Sequence, residues 1–126
     1  MLRTLLSIAA GAAIGANLRW LLSIALNPLF AGLPSGTLIT NWLGCYLIGI
    51  ALPILNNLFP QAPELRPFIV TGLLGSLTTF SSFSAEMINI VQEGRYYWAI
   101  FGVLLHVLGS LIMTVLGMGT VHLFQQ

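Results

Sequence analysis

Apolar residues run almost unbroken through four long stretches, residues 4–26, 37–58, 67–90 and 97–123. An α-helix needs roughly 20 apolar residues to cross about 30 Å of hydrocarbon, so each stretch is long enough to span a membrane. The connections between them are short and carry residues that stop helices: Asn27-Pro28, Pro34-Ser35-Gly36, Pro60 with Pro63, and Glu93-Gly94. The pattern predicts one all-α transmembrane domain over residues 1–126, with almost nothing outside the bilayer.

Polar positions inside these stretches fall in register. Ser7, Gly11, Gly15 and Arg19 recur every four residues in the first, which places them on one helix face. Gly11 and Gly15 form a GxxxG pair that lets another helix come close. A charge as deep as Arg19 must face protein and water, or reach the interface beside Trp20. The second stretch holds one amide, Asn41, which must find hydrogen bonds in an apolar setting. It could tie helices together or offer its N–H groups to an anion. The fourth carries Gly102, His106, Ser110 and Thr114, again every four. That stripe suits a wet pathway or interhelical hydrogen bonding equally well.

The third stretch is the anomaly. Residues 72–86 read Gly-Leu-Leu-Gly-Ser-Leu-Thr-Thr-Phe-Ser-Ser-Phe-Ser-Ala-Glu, the most polar run in the chain. Gly75-Ser76-Leu77-Thr78-Thr79 is a poor helix centre. Either the hydroxyls bond back to the preceding turn of an intact helix, or the helix breaks near the midplane. A break would free carbonyls at the end of the first half and N–H groups at the start of the second. Carbonyls attract cations and N–H groups attract anions. Beyond the break, Phe80 and Phe83 share one face, and Ser81 and Ser84 the adjoining one. A phenyl ring has an electropositive edge, so paired rings could line a dry anion route without trapping the ion. Glu86, two turns further on, needs water or a partner and could mark the mouth of a vestibule.

Composition sharpens this reading. Only 6% of residues are charged, against about 25% in an ordinary soluble domain. Met1-Leu2-Arg3 with the small residues of 9–13 imitates a cleaved leader, but the apolar pattern continues past Ala16. One cysteine, Cys45, excludes an intrachain disulfide and suits a small buried residue. There is no Asp and no Cys/His cluster of zinc-ligand spacing. His106 with Ser110 lacks an acid partner and no nucleophile motif is present, so the chain does not read as an enzyme. Four arginines without a lysine give no nucleic-acid surface. They also leave orientation nearly undecided: Arg3 and Arg66 lie on one side of the membrane, Arg95 and the deeper Arg19 toward the other. Either one orientation is weakly encoded, or copies insert both ways and pair antiparallel. A bundle of four helices has little room for a polar interior, which favours oligomers.

At these residues the sequence resembles the small bacterial fluoride channels of the Fluc (CrcB) family. Gly11-Ala-Ala-Ile-Gly-Ala-Asn-Leu-Arg-Trp20, Gly36-Thr-Leu-Ile-Thr-Asn-Trp-Leu-Gly44 and Gly75-Ser-Leu-Thr-Thr-Phe-Ser-Ser-Phe83 are similar to its signatures for the first, second and third crossings. Ser82 stands where the family more often has Thr, and Ser76 where Gly is common. The resemblance implies an antiparallel, dual-topology homodimer in the bacterial inner membrane, with two pores for passive fluoride export. It implies a fluoride pathway of Asn41, Phe80, Phe83, Ser81, Ser110 and Thr114. It further implies a structural Na⁺ at the dimer centre, held by the carbonyls of Gly75 and Thr78 from both subunits. Two other classes compete. A proton-coupled multidrug antiporter needs a central acid, which the first crossing lacks. A non-transporting membrane assembly subunit would not need rings and hydroxyls ordered around a break.

Overall fold

The computed structural model describes the whole chain, Met1–Gln126, and is helical throughout apart from its turns. Four segments are long and apolar enough to cross a membrane: Leu2–Leu29, Ser35–Leu58, Pro67–Gln92 and Tyr96–Phe124. They match the four apolar runs of the sequence, with ends displaced by up to a turn. Leu2 and Arg3 continue the first helix outward because nothing there stops it.

Helix α1, Leu2–Leu26, leads through a 3-10 turn, Asn27–Leu29, to α2, Ser35–Leu58. The junction is closed by side chains. Asn27 Oδ1 accepts from Gly36 N at 2.7 Å and Thr37 N at 3.3 Å, which satisfies N–H groups the start of α2 would leave orphaned. Ser35 Oγ donates back to the Leu26 carbonyl. The third crossing starts at Pro67, where a missing N–H costs nothing. It is π-helical over Pro67–Leu74, then makes one α-helical turn, α3, Gly75–Leu77. Thr78 and Thr79 take extended backbone, and helix α4 runs Phe80–Gln92. Gly94, at φ +76°, takes the left-handed conformation that favours glycine and turns the chain into α5, Tyr96–Phe124.

Helix α1 packs along the π-helical segment, and glycine makes that possible. A Cβ added at Gly72 would sit 3.1 Å from Gly11 Cα, and one at Gly11 would run into the Phe68 carbonyl. The GxxxG pair thus receives the third crossing at backbone contact. Helices α2 and α5 form the other main pair. Trp42 Nε1 donates to the Leu105 carbonyl at 3.0 Å, and the Tyr46 hydroxyl meets Thr120 Oγ1 at 2.9 Å.

The core is thin: 21 of 126 residues are buried, so most apolar surface must be covered by lipid or by another chain. The largest buried cluster, Leu33, Phe83, Met87, Ile90 and Ala99, binds α4 to α5 and to the loop ahead of α2. It fixes where the α4 aromatic residues lie. Leu21, Ile24, Leu111 and Val115 are among the large side chains left outward on α1 and α5, as a hydrocarbon solvent requires. Arg95 ties the α4–α5 turn to the loop ahead of α2, donating to the Gly32 carbonyl at 2.6 Å and to Glu93 at 3.1 Å.

Candidate functional site

The two extended residues of the third crossing, Thr78 (φ −84°, ψ 154°) and Thr79 (φ −149°, ψ 117°), are held by α2. Asn41 Oδ1 accepts from Thr79 N at 2.7 Å, and Asn41 Nδ2 donates to the Thr79 carbonyl at 3.1 Å. The amide therefore bonds one residue's backbone at both ends, as a neighbouring strand would. Thr79 Oγ1 in turn accepts from Ser82 N at 3.1 Å, which caps α4. A threonine suits both jobs: its β-branch favours extended backbone and its hydroxyl favours the cap position.

These bonds divert donors from two carbonyls. In a continuous helix Gly75 O would accept from Thr79 N, and Thr78 O from Ser82 N. Here those N–H groups go to Asn41 and to Thr79 Oγ1 instead. Ser76 O, next along the chain from Gly75, is treated differently: Arg19 Nε donates to it at 2.9 Å. The deep arginine of α1 therefore faces protein and serves the end of the first half of the crossing, where a cation complements the helix dipole. Thr78 Oγ1 and Ser76 Oγ bond back to Leu74 O and Leu73 O, at 3.0 and 3.2 Å.

Past the extended pair, Phe80 and Phe83 stand edge to face, with centroids 5.4 Å apart and planes at 72°. Phe83 is 7% exposed, whereas Phe80 is 77% exposed and projects from the protomer. Phe83 also lies against His106 of α5, at 4.4 Å and 30°. His106 Nδ1 and Asn41 Nδ2 are 3.2 Å apart. A cavity of about 250 Å³ is lined by Asn41, Thr78, Phe80, Phe83, His106 and Ser110, among others. Helices α2, α4 and α5 thus bring four of the expected pathway residues, Asn41, Phe80, Phe83 and Ser110, to one place.

Others lie apart. Ser81 is exposed beside this cavity, its hydroxyl 3.4 Å from Thr79 Oγ1. Thr114 sits one turn further along α5, donating to the Ser110 carbonyl at 3.0 Å. Gly75 is exposed at the end of the first half-crossing. Glu86 takes a hydrogen bond from Thr37 Oγ1 at 2.6 Å, while its Oε2 is covered and unpartnered. It borders a separate cavity of about 420 Å³ shared with Asn27, Asn89 and Arg95. The partners of Thr79, Arg19 and His106 were not legible from spacing, because each contact joins different helices.

Comparison with known proteins places the chain in a family. The family described as CrcB-like protein, Camphor Resistance (CrcB), matches residues 6–118. A protein of Chromohalobacter salexigens named fluoride-specific ion channel FluC is 56% identical over 123 residues, covering 98% of this chain and 93% of the relative. Proteins of the same name from Pseudomonas putida and Tolumonas auensis are 48% and 49% identical, over 97% and 100% of this chain and 96% and 99% of theirs. With its signatures and nearly its whole length matched, the chain belongs to the CrcB family.

Proposed function

We propose that the chain is a passive fluoride channel of the bacterial inner membrane, exporting F⁻ and so protecting the cell from its toxicity. Its relatives carry the name fluoride-specific ion channel. The observation that carries the proposal is the junction at Thr78–Thr79, roughly half-way along Pro67–Gln92. We read it as an interruption near the membrane midplane. Aromatic edges, hydroxyls and imidazole meet there around a small cavity that no charged side chain lines. Such a lining suits conduction, because a fixed cation would hold fluoride too firmly to release it.

The working unit is an antiparallel homodimer with two pores. Support comes from the polar groups exposed on the protomer's membrane-crossing surface: Asn17, Gly75, Ser81 and Ser84, beside the projecting Phe80. Hydrocarbon does not satisfy such groups, and a second copy would. The near balance of arginines supports copies in both orientations.

A structural Na⁺ fits the chemistry of the same junction. Gly75 O and Thr78 O have lost their helical donors, and neutral carbonyl oxygens are the hard ligands a small hard cation prefers. The same pair from a second copy would complete the shell. When bound, the ion supplies positive charge that ties the two third crossings together. In each pore, Phe80 and Phe83 present ring edges to the anion. Ser110, Thr114 and Ser81 give hydroxyl donors along the opposite side.

Liposomes reconstituted with the protein and loaded with fluoride test the proposal. Efflux of F⁻ without efflux of Cl⁻ is expected, and Phe80→Ile or Phe83→Ile should reduce it strongly. Unchanged efflux in both variants would refute a ring-lined route.

A further inference from the structure

We infer that Asn41 acts as a positioning residue, and that the donor it prepares for the anion is the Nε2–H of His106. The second half of this statement rests on the fluoride reading above; the first does not.

Proton bookkeeping around Asn41 leaves one solution. Thr79 N–H is a backbone donor whose proton position is not in question, and it meets Asn41 Oδ1 at 2.7 Å. Turning the amide over would set N–H against N–H at Thr79 and carbonyl against carbonyl, so its orientation is fixed. Nδ2 then faces the Thr79 carbonyl at 3.1 Å and His106 Nδ1 at 3.2 Å. An amide nitrogen only donates, so Nδ1 must offer its lone pair. A neutral imidazole with a bare Nδ1 carries its proton on Nε2. Both Asn41 hydrogens are thereby spent. An anion that took one would leave Thr79 O or His106 Nδ1 without a donor in an apolar setting.

His106 Nε2 is in the opposite situation. It has no partner within the chain, yet it is not sealed: the covered, unpartnered side-chain oxygens and nitrogens are confined to Glu64 Oε2 and Glu86 Oε2. His106 as a whole is only 5% exposed, and Phe83 lies 4.4 Å from its ring, which restrains the ring plane. The residue lines the cavity of about 250 Å³ with Phe80, Phe83 and Ser110. A buried ring with one nitrogen committed and the other free is a built donor. It suits a small anion that accepts hydrogen bonds strongly, and it offers no net charge to hold that anion.

The tautomer can be read directly. The chain has two histidines, so His122→Gln, at the exposed end of α5, leaves one imidazole for ¹⁵N NMR in lipid nanodiscs. One-bond ¹⁵N–¹H coupling is expected at Nε2 and not at Nδ1. Asn41→Asp keeps the acceptor for Thr79 N–H but replaces the donor to His106 with an oxygen, so the proton should move to Nδ1. Addition of sodium fluoride should shift the Nε2–H resonance, and sodium chloride at the same concentration should not. In liposomes, His106→Phe should slow fluoride efflux at least ~10-fold, as expected for losing a hydrogen bond to a charged group. His106→Gln, which restores an N–H at the end of a side chain, should retain more flux than His106→Phe. A proton on Nδ1 in the parent, or a tautomer indifferent to Asn41→Asp, overturns the positioning role. An Nε2–H resonance blind to fluoride, in a parent that conducts, overturns the donor role. A parent with the expected tautomer that passes no fluoride overturns the channel reading instead.

Discussion

Arg19 illustrates how a single residue at membrane depth is accommodated. Its guanidinium pairs with no acid; its Nε donates to Ser76 O at 2.9 Å, at the end of the first half of the third crossing. A hydrogen bond from a charged donor contributes about 1.5–3 kcal/mol. Arg19→Met keeps the length of the side chain and removes every donor, so it should lower stability by about that amount. Arg19→Lys keeps a charge and a single-point donor, and should lose less. Thermal unfolding of detergent-solubilised protein, followed by the loss of the folded peak on size-exclusion chromatography, measures the difference. Equal losses in the two variants would mean that the side chain acts through packing alone. Spacing every four residues placed Arg19 on the face of Gly11 and Gly15, and that much was readable in the sequence. Its acceptor was not, because the carbonyl is released only by the extended backbone of Thr78 and Thr79, which Asn41 of another helix maintains. The same limit applied to His106, whose place depends on how α2, α4 and α5 meet.

At the scale of elements, the four crossings were legible because hydrocarbon imposes one rule on every lipid-facing residue, and the charge-free runs obey it. The π-helical winding of Pro67–Leu74 was not legible. Nothing local favours it, and wide turns of this kind persist where tertiary contacts hold them. The contact that holds this one is the backbone approach of α1, where Gly11 and Gly72 nearly touch. A methyl group is therefore expected to have opposite effects at two glycines. Gly72→Ala overpacks the α1 contact and should destabilise the fold by about 1–3 kcal/mol. Gly119, on α5, has nothing within 4 Å of an added Cβ. Gly119→Ala should be neutral or stabilising by about 0.5–1 kcal/mol, through helix propensity. The comparison needs only the two melting curves beside the parent's. Similar curves for both variants would mean that α1 does not press on the third crossing as described.

For the molecule as a whole, the decisive question is whether a protomer with so thin a core works alone. The proposed insertion in both orientations rests on a near balance of arginines, which small changes in charge should tip. Gln125→Lys with Gln126→Lys adds positive charge at the exposed C-terminal end, on the side of Arg3 and Arg66, and should draw both termini into the cytoplasm. Arg3→Gln removes an exposed charge from that side and should push the termini outward. Paired C-terminal fusions read the outcome. A fluorescent protein that matures only inside and a phosphatase active only outside should both report in the parent, and one should fade in each biased variant. If the pores form between antiparallel copies, each biased variant expressed alone should protect cells poorly from fluoride. Co-expression should restore protection, because each then supplies the orientation the other lacks. A lone biased variant that protects as well as the parent would mean that parallel copies, or single protomers, conduct. The exposed polar groups around Phe80 would then need another cover, and the proposed central cation would lack the facing carbonyls of a second Gly75 and Thr78.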